Sequence, residues 1–235
     1  MYAGKRFLAV IPARGGSKGV PRKNIRSLNG RPLLAYTVDQ VANVREIDLA
    51  VVSTEDPEIR LVAESQGMRV IDRPAMYAAD DSPTEAALLH ALDALAEHGE
   101  SDWDYIIVLE PTSPLRSAET IKKCITTIVQ YDAPSLLTVR ESRENVGTIE
   151  NGYFHPLRTG APRRRQERMP FYIESSTVYV CRVDYLRATR SLVANPWCAC
   201  VVPDIEAVDI NTPEDFVFAE SLICKLLRSD HDENS

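Results

Sequence analysis

The 235-residue sequence is short of several things that would place it quickly. No apolar run approaches the roughly 20 residues needed to span a bilayer, so no membrane helix is expected. The opening Met-Tyr-Ala-Gly-Lys-Arg leads into an apolar run too short for a secretory signal, with no cleavage site after it. Neither common nucleotide fingerprint is present. There is no G-x-G-x-x-G, and no glycine of the glycine-rich loop has a Gly-Lys pair five positions on, which excludes the P-loop. The five cysteines are odd in number and scattered, as free thiols in a reducing, cytoplasmic compartment would be. Cys198 and Cys200 share one face of an extended segment, but no further ligand is spaced to complete a metal site with them. His90, His98 and His155 have no acid or cysteine pattern for a metal or triad role. A net charge of −7 argues against a general nucleic-acid binder. No internal repeat or second domain is visible. One domain over 1–228 is expected, followed by a solvated, disordered tail at 229–235.

What is present lies first at residues 7–24, F-L-A-V-I-P-A-R-G-G-S-K-G-V-P-R-K-N. An apolar run at 7–11 stops at Pro12 and opens into a glycine-rich loop. Between Arg14 and Arg31 stand six basic residues and no acidic one. Gly15, Gly16 and Gly19 allow close backbone approach and turn N–H groups toward an anion. The cations Arg14, Lys18 and Lys23, with the donors Ser17 and Asn24, suit a polyphosphate.

Strands and helices alternate along the chain, which predicts an α/β fold: a three-layer α/β/α sandwich around a mostly parallel, Rossmann-like sheet. Strands are expected at 7–11, 49–53, 69–71, 105–109, 135–139, 177–181 and 198–202, with 105–109 central. Helices are expected after Pro32, after an Asp56 cap, from a capping box at Ser82-Pro83-Thr84-Glu85, after Ser117, and from Thr212 onward with Phe216, Ile223 and Leu227 inward. Segment 141–170 breaks the rhythm with glycines and prolines, and Asn151-Gly152 marks a hairpin inside it. A long irregular insertion of this kind is usually a lid, a partner arm or disorder.

Four blocks now carry a resemblance. They are I-P-A-R-G-G-S-K-G-V-P-R-K-N at 11–24, R-P-A at 73–75 with D-S-P-T at 81–84, L-E-P-T-S-P-L-R at 109–116, and V-D-I-N-T-P-E-D at 208–215. In this order the chain resembles the N-acylneuraminate cytidylyltransferases and their relatives acting on other nine-carbon ulosonic acids. The resemblance implies a nucleotide-diphospho-sugar transferase type of fold, in which CTP and a ulosonic acid give the CMP-sugar and pyrophosphate with Mg²⁺. It also implies a homodimer joined through an arm formed by the insertion.

Arg14, Gly15, Ser17, Lys18, Lys23 and Asn24 would then hold the triphosphate, and Arg73 and Thr84 the nucleoside. Glu110, Thr112, Ser113 and Arg116 would face the sugar. Glu110 stands where the family often has glutamine, and an ionised glutamate accepts hydrogen bonds but donates none. Asp209 and Asn211, two apart on an extended segment, point the same way and offer two oxygens to Mg²⁺. The family usually has two aspartates here. Arg164 and Arg165, in the basic run at 162–168, could fork onto the sugar carboxylate. Glu174-Ser175-Ser176 replaces the arginine followed by Pro-Asn-Gly of many sialic acid enzymes, so the acceptor stays open among legionaminic, pseudaminic, octulosonic and N-acylneuraminic acids. A metal-dependent glycosyltransferase consuming a nucleotide sugar, and a non-catalytic nucleotide binder, are the readings from other classes.

Overall fold

Apolar residues that alternate between two cores mark the first strand of the sheet. In β1 (Phe7–Pro12), Phe7, Ala9 and Ile11 enter one core while Leu8 and Val10 enter the other. Such a strand must be covered on both faces. The computed structural model describes residues 1–233, with side chains as far as Leu227. After β1 come a small hairpin, β2 (Ser27–Leu28) and β3 (Arg31–Pro32), then α1 (Leu33–Ala42), β4 (Leu49–Thr54), α2 (Pro57–Ser65) and β5 (Arg69–Asp72). Next are α3 (Thr84–Glu97), β6 (Tyr105–Val108), α4 (Ala118–Tyr131) and β7 (Ser135–Ser142). The arm contributes β8 (Gly147–Glu150) and β9 (Tyr153–Pro156). The chain closes with β10 (Phe171–Arg182), α5 (Val183–Thr189), β11 (Cys198–Val202) and α6 (Pro213–Glu233).

The sheet has the order β11-β7-β10-β6-β1-β4-β5. The run β6-β1-β4-β5 is parallel, β10 is antiparallel to both of its neighbours, and β11 is parallel to β7. The most apolar strand, β6, is indeed central. Helices α1, α2 and α4 pack on one face and α3 and α5 on the other, giving the expected three layers. Phe216, Ala219 and Ile223 of α6 close a third, smaller core with Val20, Leu28, Leu33 and Ile210. This core presses the segment before α6 against the loop that follows β1.

Several local expectations change. Pro83 takes the cap position of α3 in an extended conformation, and no side chain caps this helix. The expected box at Ser82 and Glu85 does not form, because Glu85 instead accepts the backbone N–H of Leu192 at 3.3 Å. Asp56 and Ser117 cap α2 and α4 as expected. Helix α6 passes residue 228 and continues to Glu233, with no glycine or proline after Pro213 to stop it. Residues 234–235 of the expected tail lie outside the described residues. Leu227 is half exposed rather than inward, since burial on α6 ends at Ile223. Helix α5 lies between the strands expected at 177–181 and 198–202, where no helix was expected.

Candidate active site

Strands β1, β4 and β6 run parallel, so the segments that follow them open on one edge of the sheet, where α/β folds bind ligands. Two glycines of the loop after β1 serve close packing. A Cβ on Gly15 would lie 2.3 Å from Asp56 Oδ2, and one on Gly19 would lie 2.0 Å from the carbonyl oxygen of Asn211. The Gly15 N–H donates to Glu55 Oε1 at 2.7 Å. Arg22, in a left-handed turn, forks onto Asp56, with Nη2 at 3.0 Å from Oδ1. Asn24 donates its side-chain amide to the carbonyl of Arg14 at 2.9 Å, fixing the base of the loop.

The cations then converge. Arg14 pairs with Asp80 Oδ1 at 2.9 Å and donates to the carbonyl of Ala79 at 3.2 Å, and Lys18 meets Asp80 Oδ2 at 3.0 Å. Lys23 Nζ reaches across to the carbonyl of Ile210 at 2.7 Å. Burial pulls the Lys23 pKa down, and the nearby carboxylates of Asp209 and Glu110 only partly oppose this. Its charge is therefore destabilised by burial, and an arriving anion would restore it.

Opposite the loop, Arg73 is buried after β5 and donates Nη2 to Glu55 Oε2 at 3.0 Å. Its Nε is buried with no partner. Between these walls lies a cavity of about 450 Å³ lined by Arg14, Ser17, Lys18, Lys23, Asn24, Arg73, Thr84, Glu110, Thr112 and Asn211, with Tyr77 and Asp80 also on its wall. The structure therefore brings most of the expected site residues to one space.

Glu110 follows β6, and burial next to Asp209 raises its pKa against the pull of Lys23 and Arg116. Thr112 and Ser113 are buried with hydroxyls that no protein group engages. Arg116 corrects an expectation. It is fully buried, donates to the carbonyl of Thr177 at 2.6 Å, to Thr37 Oγ1 at 2.8 Å and to the carbonyl of Glu110 at 3.2 and 3.3 Å, and takes no part in lining the cavity. Burial pushes its pKa down to about 10. It props the loop at 110–113 from beneath, with three backbone and hydroxyl oxygens claiming its fork through four hydrogen bonds.

The segment before α6 is bound on both sides, with Ile210 N–H on the carbonyl of Thr112 at 2.9 Å and the Ile210 carbonyl on Lys23. Asp209 Oδ2 accepts from the Asn211 amide at 2.6 Å, while Asp209 Oδ1 is buried with no partner. No cluster of three or more His, Cys, Asp or Glu side chains suited to a metal occurs among the described residues. A carboxylate with an orphaned oxygen and an adjacent amide still fits Mg²⁺, which binds through one or two protein oxygens and takes the rest from water and phosphate.

Arg164 and Arg165 lie exposed in the arm, paired with Glu167 at 3.3 Å and Glu144 at 2.9 Å. Neither lines the cavity of its own chain, and both are held by pairs within the arm. Glu174, on β10, accepts from the Tyr179 hydroxyl at 2.8 Å, also away from that cavity. From the sequence, Glu55, Tyr77 and Asp80 carry no expected site role, and Asp56 is expected only as a helix cap. The signal available for Glu55 and Asp56 was an acidic pair directly after the strand next to β1.

Known proteins match this arrangement. A family model described as cytidylyltransferase matches residues 8–157. The chain is 31% identical to the CMP-N,N'-diacetyllegionaminic acid synthase of Campylobacter jejuni subsp. jejuni serotype O:2 over 222 residues, 92% of this chain and 94% of that protein. It is 28% identical to the post-translational flagellin modification protein B of Campylobacter coli, over 92% of this chain and 94% of that protein. Among solved structures, a CMP:2-keto-3-deoxy-manno-octonic acid synthetase complexed with CTP superposes with a TM-score of 0.70 at 16% identity, covering 94% of this chain and 99% of the other. That likeness establishes the shared fold.

Proposed function

Because the chain belongs to the cytidylyltransferase family, we propose that it activates a nine-carbon nonulosonic acid with CTP, giving the CMP-sugar and pyrophosphate. The observation that carries this reading is the single cavity in which Arg14, Lys18 and Lys23 face Arg73 and Thr84. A triphosphate against the three cations releases them from Asp80 and from the Ile210 carbonyl. Arg73 and the free N–H groups at the start of α3 face the nucleoside. Cytosine offers O2 and N3 as acceptors there, whereas uracil carries a hydrogen on N3.

The anomeric hydroxyl of the acid attacks the α-phosphorus in line, the bond to the bridging oxygen breaks, and pyrophosphate leaves with the electron pair. Arg14 and Lys23 stabilise the charge that builds on the phosphates, and the fastened loop holds them in place before the reaction begins. Asp209 and Asn211 would hold Mg²⁺, which neutralises phosphate charge when bound. The buried hydroxyl of Thr112 and the carboxylate of Glu110, both on the cavity wall, fit the acceptor's polar groups, while Ser113 is absent from that wall.

The arm supports a homodimer. Ile149, Tyr153, Phe154, Leu157 and Met169 are all more than half exposed on one chain, and a two-fold partner would cover them. No helix among the described residues is long and apolar enough to cross a membrane, and the five free thiols fit a reducing compartment such as the cytoplasm. The likeness to the legionaminic acid synthase makes a legionaminic-type acid the first acceptor to try. A pyrophosphate-release screen of CTP, UTP and GTP against legionaminic, pseudaminic, N-acetylneuraminic and octulosonic acids tests the reading. Release with CTP and one of the three nine-carbon acids is expected; release with octulosonic acid alone, or with no pair, would overturn it.

A further inference from the structure

Strand β4 is followed directly by two acids, Glu55 and Asp56, which between them touch three parts of the site wall. Glu55 divides its carboxylate. Oε1 takes the Gly15 N–H at 2.7 Å, and Oε2 takes Arg73 at 3.0 Å. The side chains of Arg73 and Glu55 are 5% and 20% exposed, so this ion pair is largely shielded from water. Asp56 takes the Arg22 fork at the far end of the phosphate loop and caps α2 through the N–H groups of Glu58 and Ile59, at 2.9 and 3.0 Å. Arg22 holds the Asp56 carboxyl below its usual range, as an occupied fork should. The missing side chain of Gly15 lets the loop backbone lie directly against Asp56.

An ionised carboxylate is purely an acceptor, and both oxygens of Glu55 are engaged by donors from different elements. One oxygen fixes the start of the phosphate loop. The other fixes one edge of the guanidinium, leaving the buried Nε and the remaining N–H groups of Arg73 for a ligand.

We propose that Glu55 is a positioning residue that ties Arg73 to the phosphate loop, so that the choice between cytosine and uracil nucleotides acts through it. Neither oxygen of Glu55 needs to meet the nucleotide. The inference rests on the reading that the cavity takes CTP. A glutamine at 55 keeps the shape but must aim an amide N–H at one of the two donors, so either the loop or Arg73 loses its anchor. An aspartate is one methylene short and cannot reach both.

The test compares wild type with Glu55→Gln by calorimetry with CTP and UTP, together with KM values for CTP and for the acceptor and the melting temperature. Losing one charge-assisted hydrogen bond predicts CTP binding weaker by about 10- to 100-fold, with the CTP-to-UTP affinity ratio falling, the acceptor KM nearly unchanged, and the melting temperature lowered because the buried Arg73 loses its counter-ion. An unchanged affinity ratio would overturn the proposal, as would a fall in kcat that tracks a lower melting temperature at constant KM. Glu55→Asp should give the same pattern and serves if Glu55→Gln does not fold. Wild-type protein that binds CTP but releases no pyrophosphate overturns the functional reading alone, and the affinity ratio still decides the role of Glu55. Wild-type protein that binds neither nucleotide overturns both.

Discussion

The phosphate loop and the arm are both rich in arginine, yet they hold those arginines in opposite ways. In and around the loop, charged groups reach partners on other elements: Arg22 on Asp56, Lys23 on the carbonyl of Ile210, Arg73 on Glu55. In the arm the partners are local. Arg164 pairs with Glu167, Arg165 with Glu144, and Arg168 with the carbonyls of Pro162, Arg163 and Arg143. The first arrangement fixes a geometry, as a site that must not reorganise during reaction requires. The second keeps a surface in shape mostly through contacts inside the arm, joined to the sheet at its base by Arg143 on Glu141 and Arg158 over Phe171, and leaves apolar side chains to be covered from outside. Sequence composition alone does not separate the two, because a basic run looks the same in either setting.

The sharpest way to break the comparison is at Arg116, the most deeply buried cation. Replacing it by methionine strands the carbonyls of Thr177 and Glu110 and should cost about 3 kcal/mol of stability, read from urea unfolding. Stability equal to wild type would mean that the loop at 110–113 does not depend on this fork. Next in size, Arg14→Ala and Lys23→Ala should each lower kcat with saturating CTP by about 100-fold, with the melting temperature kept. Near-normal turnover would remove the loop from the chemistry.

The pH response of Lys23 sharpens the same point. Its pKa is lowered by burial, so this lysine loses its proton at a lower pH than an ordinary lysine does. A bound triphosphate raises that pKa again, so CTP binding takes up a proton in the alkaline range and affinity weakens as pH rises. Calorimetry in buffers of different ionisation enthalpy reads the uptake, and Lys23→Ala should abolish it. The arm gives the smallest effect on a single chain. Ile149→Glu should leave the fold intact and shift sedimentation from dimer toward monomer, and an unchanged sedimentation coefficient would place the contact elsewhere.

Much of this was legible in the residues. Strand and helix alternation and the caps at Asp56 and Ser117 are local signals, and they place the sheet and most of the cavity wall. The cations of the loop were legible because six of them stand together without an acid. Their partners were not. Glu55 meets Gly15 across 40 positions and Lys23 meets Ile210 across 187, and no periodicity reports a contact of that separation. Arg116 misled for the converse reason. An arginine in a polar loop reads as exposed, and only the packing of α1 and β10 shows that Thr37 and Thr177 surround it. Ser82 and Glu85 formed a good capping pattern, but Pro83 took the cap position and Leu192 took the glutamate.

The strand order carries a consequence for the chain as it is being made. Strands β6, β1, β4 and β5 come from residues 7–108 and form one contiguous parallel block, while β7, β10 and β11 arrive later and lie together on the other side. Until β10 emerges, the central strand β6 has a bare edge, the most apolar one in the sheet and the one most open to pairing with another chain. The antiparallel β10 is the seal. The phosphate loop, Glu55 and Arg73 all belong to the early block, whereas Asp209 and Asn211 follow the last strand. A ribosome that stalls between these points holds a chain that lacks both the carboxylate of Asp209 and the Ile210 carbonyl on which Lys23 rests.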